Sequence, residues 1–349
     1  MSTYSRRNFL KSSLIGGVAA TFINPFATFA SLGQQVQFPA SVALTTGDSR
    51  AEMVFSGLKS FSDQIAAAIG NRRVVLKPNN VSIKDQLPST HADTLEGILE
   101  FLKSIRKDTN VTIAESAAGG PTFDGYSNFG YFRLAGKYNI KMIDLDQEPF
   151  NILYVFNEKD FRPHPVRIAS LLLDPGSYII SATPMKTHDR IVATLSLKNV
   201  VVGAPIKDRG YSWSNPDNPD IVNDKPMIHG GGIRGINYNL FALSDQLHPH
   251  LSVIDGFEGM QGNGPVGGYP VDHRICVIST DWLAADRVAV ELMGIDFAKV
   301  GYLNYCANAG KGVADLNRIQ IIGESIRDHK KLYKLSDNID EQLVWMTPA

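Results

Sequence analysis

Arg73-Val74-Val75-Leu76-Lys77-Pro78-Asn79-Asn80 and Asn110-Val111-Thr112-Ile113-Ala114-Glu115-Ser116 decide the fold. Each is an apolar run of strand length that ends in polar or chain-breaking residues. Between them Asp93 opens a stretch of helical period, with Leu95, Ile98, Leu99 and Leu102 on one face. Working outward, Val42 to Thr45 reads as a strand. Asp48 and Ser49 then cap a helix whose apolar positions include Met53, Leu58, Ile65 and Ile69, and Gly70 and Asn71 end it. On the other side a helical stretch runs from Phe123 to Tyr138, and Ile140 to Leu145 is a strand again. Strands that alternate with helices through short connections predict an α/β fold. The expected form is a mainly parallel, doubly wound sheet of Rossmann-like layering, with helices on both faces.

Beyond this block the pattern loosens. Ile152 to Phe156 and Val166 to Leu172 read as edge or excursion strands, and Ser177 to Ala182 as a buried one. Residues 199–235 form a long excursion with Pro205, Pro216, Pro219, Pro226 and Gly230-Gly231-Gly232. A loop of that length is usually a functional lid or an insertion. Leu240 to Leu247 and Asp281 to Met293 have helical period. Leu251 to Ile254, Ile275 to Ser279 and Ile319 to Ile322 complete the strands.

The chain has 349 residues, 44% of them hydrophobic and 20% charged, which excludes a disordered protein. Lys plus Arg number 34 against 35 Asp plus Glu, so nothing points to a nucleic-acid partner. The first thirty residues differ from the rest. Arg6, Arg7 and Lys11 carry charge without any acid, and the apolar stretch Leu14 to Phe29 ends in small residues. That is the pattern of a signal peptide, too short and too glycine-broken for a stable membrane span. Ser5-Arg6-Arg7-Asn8-Phe9-Leu10-Lys11 resembles the twin-arginine motif, which implies export of a folded protein to the periplasm through the machinery that reads Arg6 and Arg7. The expected organisation is a signal at 1–30, a single α/β domain at 31–325 and a polar C-terminal tail at 326–349. Cys276 and Cys306 are the only cysteines. Two thiols cannot hold an iron–sulfur cluster or build a Cys-rich zinc site, and they read as small buried hydrophobes.

In an open α/β sheet the ligand lies outside the carboxyl ends of the strands. The residues after the expected strands are Lys77, Asn79 and Asn80; Glu115 and Ser116; Asp144 and Asp146; Lys186 and His188; Asp255 and Glu258; and Asp281. Loops are polar in general, but two lysines, a histidine and several carboxylates on one edge form a chemically useful mixture. Pro184-Met185-Lys186-Thr187-His188 puts a lysine and a histidine on the same side of the chain. Lys186, His188 and Glu115 are the candidate acid–base residues. Lys77, Asn79, Lys198, Asn199, His229 and Gly264 are candidates for binding substrate. Six glycines fall within residues 255–270, a segment that lets backbone approach a ligand. Asp255 and Glu258, with Glu115 or Asp281, could form an oxygen-ligand site for a divalent metal. The plainer reading makes the glycine segment a structural crossover and Asp281 a helix N-cap. Tyr211 and Trp213 could stack on a sugar ring. Glu115-Ser116-Ala117-Ala118-Gly119-Gly120 matches neither the dinucleotide fingerprint nor the P-loop.

Lys77-Pro78-Asn79, Ala114-Glu115-Ser116, Pro184-Met185-Lys186-Thr187-His188, Leu197-Lys198-Asn199, Gly259 to Pro265 and Ser279 to Asp286 followed by Met293-Gly294 occur in that order. Together they resemble the domain-of-unknown-function 362 family over roughly residues 40–325. The resemblance implies an α/β fold and no particular activity. Some relatives carry ferredoxin-like cysteine clusters, from which this chain departs. The expectation is therefore an exported hydrolase, lyase or isomerase acting on an anionic or polyhydroxyl small molecule or saccharide. The alternatives are a non-catalytic periplasmic binding or redox-accessory protein and, on the export motif alone, a flavin or nicotinamide oxidoreductase.

Overall fold

The computed structural model describes residues 38–211 and 220–347. The expectations for residues 1–30, Arg6 and Arg7 included, and for Trp213 lie outside the described residues. The alternating block forms β1 (Ala40–Thr46), α1 (Arg50–Lys59), α2 (Ser62–Ile69), β2 (Arg73–Lys77), α3 (Ala92–Ser104), β3 (Val111–Glu115), α4 (Thr122–Asn128), α5 (Phe132–Lys137) and β4 (Ile140–Asp144). A separate antiparallel pair, β5 (Phe150–Asn157) and β6 (Arg162–Ala169), is the excursion. Then come β7 (Ser177–His188), β8 (Val192–Thr194), α6 (Ser196–Gly203), α7 (Ile233–Leu243), β9 (Leu251–Asn263), β10 (Gly267–Ser279), α8 (Trp282–Leu292), α9 (Gly301–Asn308) and β11 (Ile319–Gly323).

The main sheet has the order β11-β1-β10-β9-β7-β2-β3-β4, with β8 paired to the end of β7. Its strands run parallel except β10 and β8. This is the mostly parallel α/β sheet, with helices on both sides, that the alternation predicts. The apolar runs explain the layering, because a strand buried on both faces needs hydrophobic residues at every position. Val74 and Leu76 pack with Leu95, Ile98 and Leu99 of α3, while Val75 packs with Leu197 and Val200 of α6. Each such side chain contributes about 1.5–3 kcal/mol on burial. Ser49, His91 and Asp281 cap α1, α3 and α8 through their side chains.

From β2 the chain moves outward to β3 and β4, and from β7 it moves the other way to β9. β2 and β7 are adjacent and parallel, in the register Lys77 to Ser181. The strand order therefore reverses between them, which is where open α/β sheets form their crevice.

The elements differ from the sequence reading at four places. The helix expected over 123–138 is two helices, separated at Gly130 with φ 72°. β7 runs six residues past Ala182, so Pro184 lies within a strand and Lys186 and His188 are strand residues paired with Thr194 and Val192 of β8. The glycine-rich segment is not a crossover: β9 and β10 form one long antiparallel hairpin through it. α6 occupies the start of the 199–235 excursion. The last residues are polar in sequence yet held in place. Tyr333, Ser336 and Gln342 are buried, and Gln342 Oε1 accepts from Val192 N at 2.7 Å. Among the described residues, no helix is long and apolar enough to cross a membrane.

Candidate functional site

A cavity of about 200 Å³ opens at the carboxyl ends of β2, β3 and β7, at the reversal point. α6 covers one side of it. Lys198, Asn199, Val202 and Gly203 line it from α6, at the i, i+1, i+4 and i+5 spacing that places residues on one helical face. The N-terminus of α6 is fixed by Asp286 of α8, whose carboxylate accepts from Ser196 N at 2.8 Å and Leu197 N at 3.1 Å. Burial pushes the Asp286 carboxyl up to about 7.

Eight of the expected site residues line this one cavity: Lys77, Asn79, Glu115, Lys186, His188, Lys198, Asn199 and His229. Lys77 and Glu115 form a buried ion pair, Nζ to Oε1 at 2.6 Å, and are 1% and 2% exposed. Glu115 also accepts from Ser116 N at 2.8 Å and from Asn80 N at 2.9 Å. Both of its oxygens are thus committed, which suits a positioning group better than the acid–base role expected of it. Asn199 Nδ2 donates to Lys77 O and Ser181 Oγ, each at 3.0 Å. Its Oδ1 accepts from Asn79 Nδ2 at 3.0 Å, and Asn79 Oδ1 accepts from Lys186 Nζ at 2.8 Å. Lys186 Nζ makes a second bond to Pro88 O at 2.6 Å. The strand ends, α6 and the loop at Pro88 are therefore tied into one polar chain.

Burial dominates the electrostatics. It lowers the Lys77 and Lys186 amines from their ordinary value, Lys186 strongly, and the neighbouring Lys198 charge lowers Lys186 further. Burial also lowers Lys198 to about 8 and His229 to about 4. His188 falls well below its usual value through burial and the Lys198 charge, so its ring is neutral. Its Nδ1 accepts from Arg190 N at 3.0 Å, which puts the ring proton on Nε2. The 3.2 Å approach of Asp189 Oδ1 to the same Nδ1 is accordingly not an ion pair.

Lys225 is a lining residue that sequence reasoning missed. It lies in the patternless excursion, where nothing in spacing marks it. It is buried, its Nζ bonds Pro205 O at 2.8 Å, and burial lowers it to about 7. Just behind it Asp146 pairs with Lys207 and accepts from Ser116 Oγ. The lining itself carries Lys77, Lys186, Lys198 and Lys225 against one carboxylate, Glu115.

Two expectations are corrected, the metal set and Gly264, while Asp281 takes the N-cap role of the plainer reading. Asp255 and Glu258 do not join the cavity. Asp255 has the strand parity of Leu251 and Val253, which face the α1–α3 layer, and it pairs with Arg50 at 2.8 Å and bonds Thr94 there. Glu258 is exposed beside it, in a different pocket with His91, Phe257 and Arg274. Asp281 lies at the opposite end of the sheet, because β10 is antiparallel, and it caps α8 from Ala284 N at 3.0 Å. The oxygen-ligand set is thus not assembled, and among the described residues no group of three or more His, Cys, Asp or Glu could hold a metal ion. Gly264 is adjacent to the lining residue Pro265 and packs its backbone on β7. A Cβ there would sit 2.0 Å from Thr187 O, so the close approach requires glycine.

Comparison with known proteins gives relatives without a stated chemistry. A thylakoid-associated protein of Synechocystis sp., sll1697, is 22% identical over 237 residues, 65% of this chain; the chain spans 65% of that protein's length. A crystal structure of a Thermotoga maritima protein superposes with a TM-score of 0.40 at 15% identity, covering 71% of this chain and 60% of that one. A family model matches residues 74–291, from the second residue of β2 to the end of α8, a span that includes Lys77, Glu115, Lys186, Lys198, Lys225 and His229. With most of its length and its whole cationic crevice inside that match, the chain belongs to the family described as Domain of unknown function (DUF362).

Proposed function

We propose that the protein is an enzyme of the lyase or isomerase kind, acting on a small organic anion by proton transfer in the β2–β7 crevice. The observation that carries this reading is the lining of four buried lysines against a single, already paired carboxylate. Burying a cation without a partner is costly, and an anionic ligand is the group that offsets it. Lys77, Lys198 and Lys225 hold the anion. Neutral His188 donates from Nε2, and Lys186 serves as base, since burial and the neighbouring Lys198 charge favour the neutral form of its amine. Asn79 and Asn199 orient Lys186 and fix α6 against β2. The cavity volume suits a molecule smaller than a typical drug-sized ligand. Export through Arg6 and Arg7 belongs to this proposal and rests on the sequence of residues 5–11 alone.

The test is a thermal-shift screen of phosphate and of two- to six-carbon carboxylates and phosphoesters, with turnover measured on those that stabilise. Stabilisation of the wild type that disappears in Lys198→Met, and turnover that disappears in folded Lys186→Met, are expected. The reading fails if no anion shifts the wild type, or if folded Lys186→Met and His188→Ala proteins keep full turnover. Replacing Arg6 and Arg7 by lysine is expected to leave the protein in the cytoplasmic fraction.

A further inference from the structure

We infer that Lys186 is a covalent nucleophile, and that the ligand of the crevice is a small anion bearing an aldehyde or ketone group which Lys186 captures as an imine. The inference rests on the anion-binding reading above and names its substrate class. Geometry separates Lys186 from the other lysines of the cavity. Lys77 Nζ is held by Glu115 in an ion pair. Lys198 makes no hydrogen bond among the described residues that would fix its direction. Lys225 Nζ also bonds two acceptors, Pro205 O at 2.8 Å and Gly203 O at 3.4 Å, and burial lowers it to about 7, but the Asp146 carboxylate beside it works against that loss of charge. Among the described residues no carboxylate forms an ion pair with Lys186, and Glu115 and Asp85 act on it only from beyond that distance. Its Nζ makes two bonds to acceptors, Asn79 Oδ1 and Pro88 O. A neutral amine has two N–H groups and one lone pair. Two acceptors therefore use both hydrogens and leave the lone pair as the one tetrahedral position uncommitted. The stem is fixed by β7, which is paired on both sides of this residue, to Thr194 of β8 and Met260 of β9. A rigidly held amine with a free lone pair in a cationic cavity is built to attack carbonyl carbon.

The chemistry balances within the cavity. The Nζ lone pair forms the C–N bond and the carbonyl π pair moves to oxygen. One N–H proton passes to that oxygen, giving the carbinolamine. Lys198, mostly ammonium at neutral pH, gives a proton to the hydroxyl, which leaves as water, so the product is a protonated imine and a neutral Lys198. The protonated imine then accepts the electron pair of an adjacent C–H bond, whose proton passes to the neutral Lys198, or of an adjacent C–C bond, whose other fragment leaves as carbon dioxide or a carbonyl compound. In this scheme Lys186 is the electron sink and Lys198 takes over the role of base.

The test uses the full chain with pyruvate, glyoxylate and 2-oxoglutarate as probes, each with sodium cyanoborohydride, followed by intact mass and peptide mapping. A single adduct on Lys186 is expected for at least one probe, at ten-fold or greater excess over any other lysine. Wild-type binding of the same probes is measured by calorimetry without reductant. Binding without an adduct overturns the imine and leaves the anion reading intact, whereas absence of binding overturns both for this class. An adduct on Lys225 or Lys198 overturns the assignment of the nucleophile. Competitive labelling of the unliganded protein with acetic anhydride at pH 7 reads the reactivity of the same amine without a substitution. Lys186 is expected to label at least ten-fold faster than surface lysines, and labelling at the surface rate overturns the proposal.

Discussion

Glu115→Gln is the sharpest test of how the crevice is held. Lys77 and Glu115 are both essentially inaccessible to solvent, and Glu115 takes three donors: Lys77 Nζ, Ser116 N and Asn80 N. Removing one member of a buried ion pair typically costs about 3–5 kcal/mol. Here the cost has a ceiling, because Lys77 can escape by losing its proton. Holding a lysine neutral costs about 1.4 kcal/mol for each pH unit below its ordinary value of 10.5. The ceiling is therefore about 5 kcal/mol at pH 7 and about 1.4 kcal/mol at pH 9.5. The amide also turns an N–H toward one of the two backbone donors, which adds about 1 kcal/mol at any pH. In the variant the folded-state value of Lys77 lies below that of the unfolded chain. The unfolded chain then binds more protons, and stability rises with pH. The expected deficit against wild type is about 3–5 kcal/mol at pH 7, shrinking to about 1–2.5 kcal/mol at pH 9.5. Urea unfolding at the two pH values, with m-values compared, measures it. A deficit that does not change with pH, or one under about 1 kcal/mol at pH 7, would refute the reasoning. The double variant Lys77→Met, Glu115→Leu is expected to be more stable than either single one, since it buries no lone charge.

The unliganded wild type is expected to gain stability from neutral pH toward pH 10, because Lys198 and Lys225, lowered to about 8 and about 7, bind fewer protons folded than unfolded in that window. Urea midpoints across pH, in wild type and in Lys225→Met, check it; an alkaline limb unchanged in the variant contradicts it. Binding of an anion at pH 7.5 is expected to take up about one proton, the shortfall of Lys198 and Lys225 from full charge at that pH. Calorimetry in two buffers of different ionisation enthalpy reads this directly, and proton release would show the sign to be wrong. Gly203→Ala puts a Cβ 2.4 Å from Lys77 Nζ and is expected to weaken anion binding at least ten-fold with a modest loss of thermal stability. Unchanged binding would mean that Lys77 does not face the ligand.

The parallel sheet was legible because Arg73 to Leu76 and Asn110 to Ala114 are apolar at consecutive positions, a pattern only a strand covered on both faces needs. The site followed from the same pattern, because the residues just beyond those strands must lie on one edge. What periodicity cannot give is the direction of a strand or a break in its alternation. Asp281 follows a strand as Glu115 does, yet β10 runs antiparallel and carries Asp281 to the far end. Asp255 follows the apolar start of β9 but keeps the parity of Val253, so it faces the α1–α3 layer. In β7 the register against β9 shifts between Pro184 and Lys186, an irregularity that re-aims the side chains after it. Glycines at 256, 259 and 262 read as a place where backbone approaches a ligand, whereas here they let the β9–β10 hairpin pack tightly: a Cβ at Gly259 would meet the Tyr333 hydroxyl at 2.0 Å. Lys225 had no signal, since its position depends on the tertiary return of the excursion to the ends of β2 and β3.

The cationic crevice is also the place where the fold departs most from the rules that stabilise the rest of it. Elsewhere the buried positions are mostly apolar, and the buried carboxylate of Asp255 has Arg50 and Thr94 as partners. Around the cavity, four lysines are buried with one paired carboxylate, Asp286 is buried at the start of α6, and Val192 beside Lys186 and His188 holds φ at 69°. A β-branched residue in that region is strained, and such strain persists only where neighbours over-determine it, as Gln342 does through the Val192 N–H. Each of these features lowers the stability of the unliganded protein, and none adds packing. An apolar lining would be more stable, which is the usual result when buried charges are replaced. The arrangement makes physical sense if a ligand returns the lost energy on binding. The energy lost by neutralising or straining these groups then becomes selectivity for an anion that can be held by several of them at once.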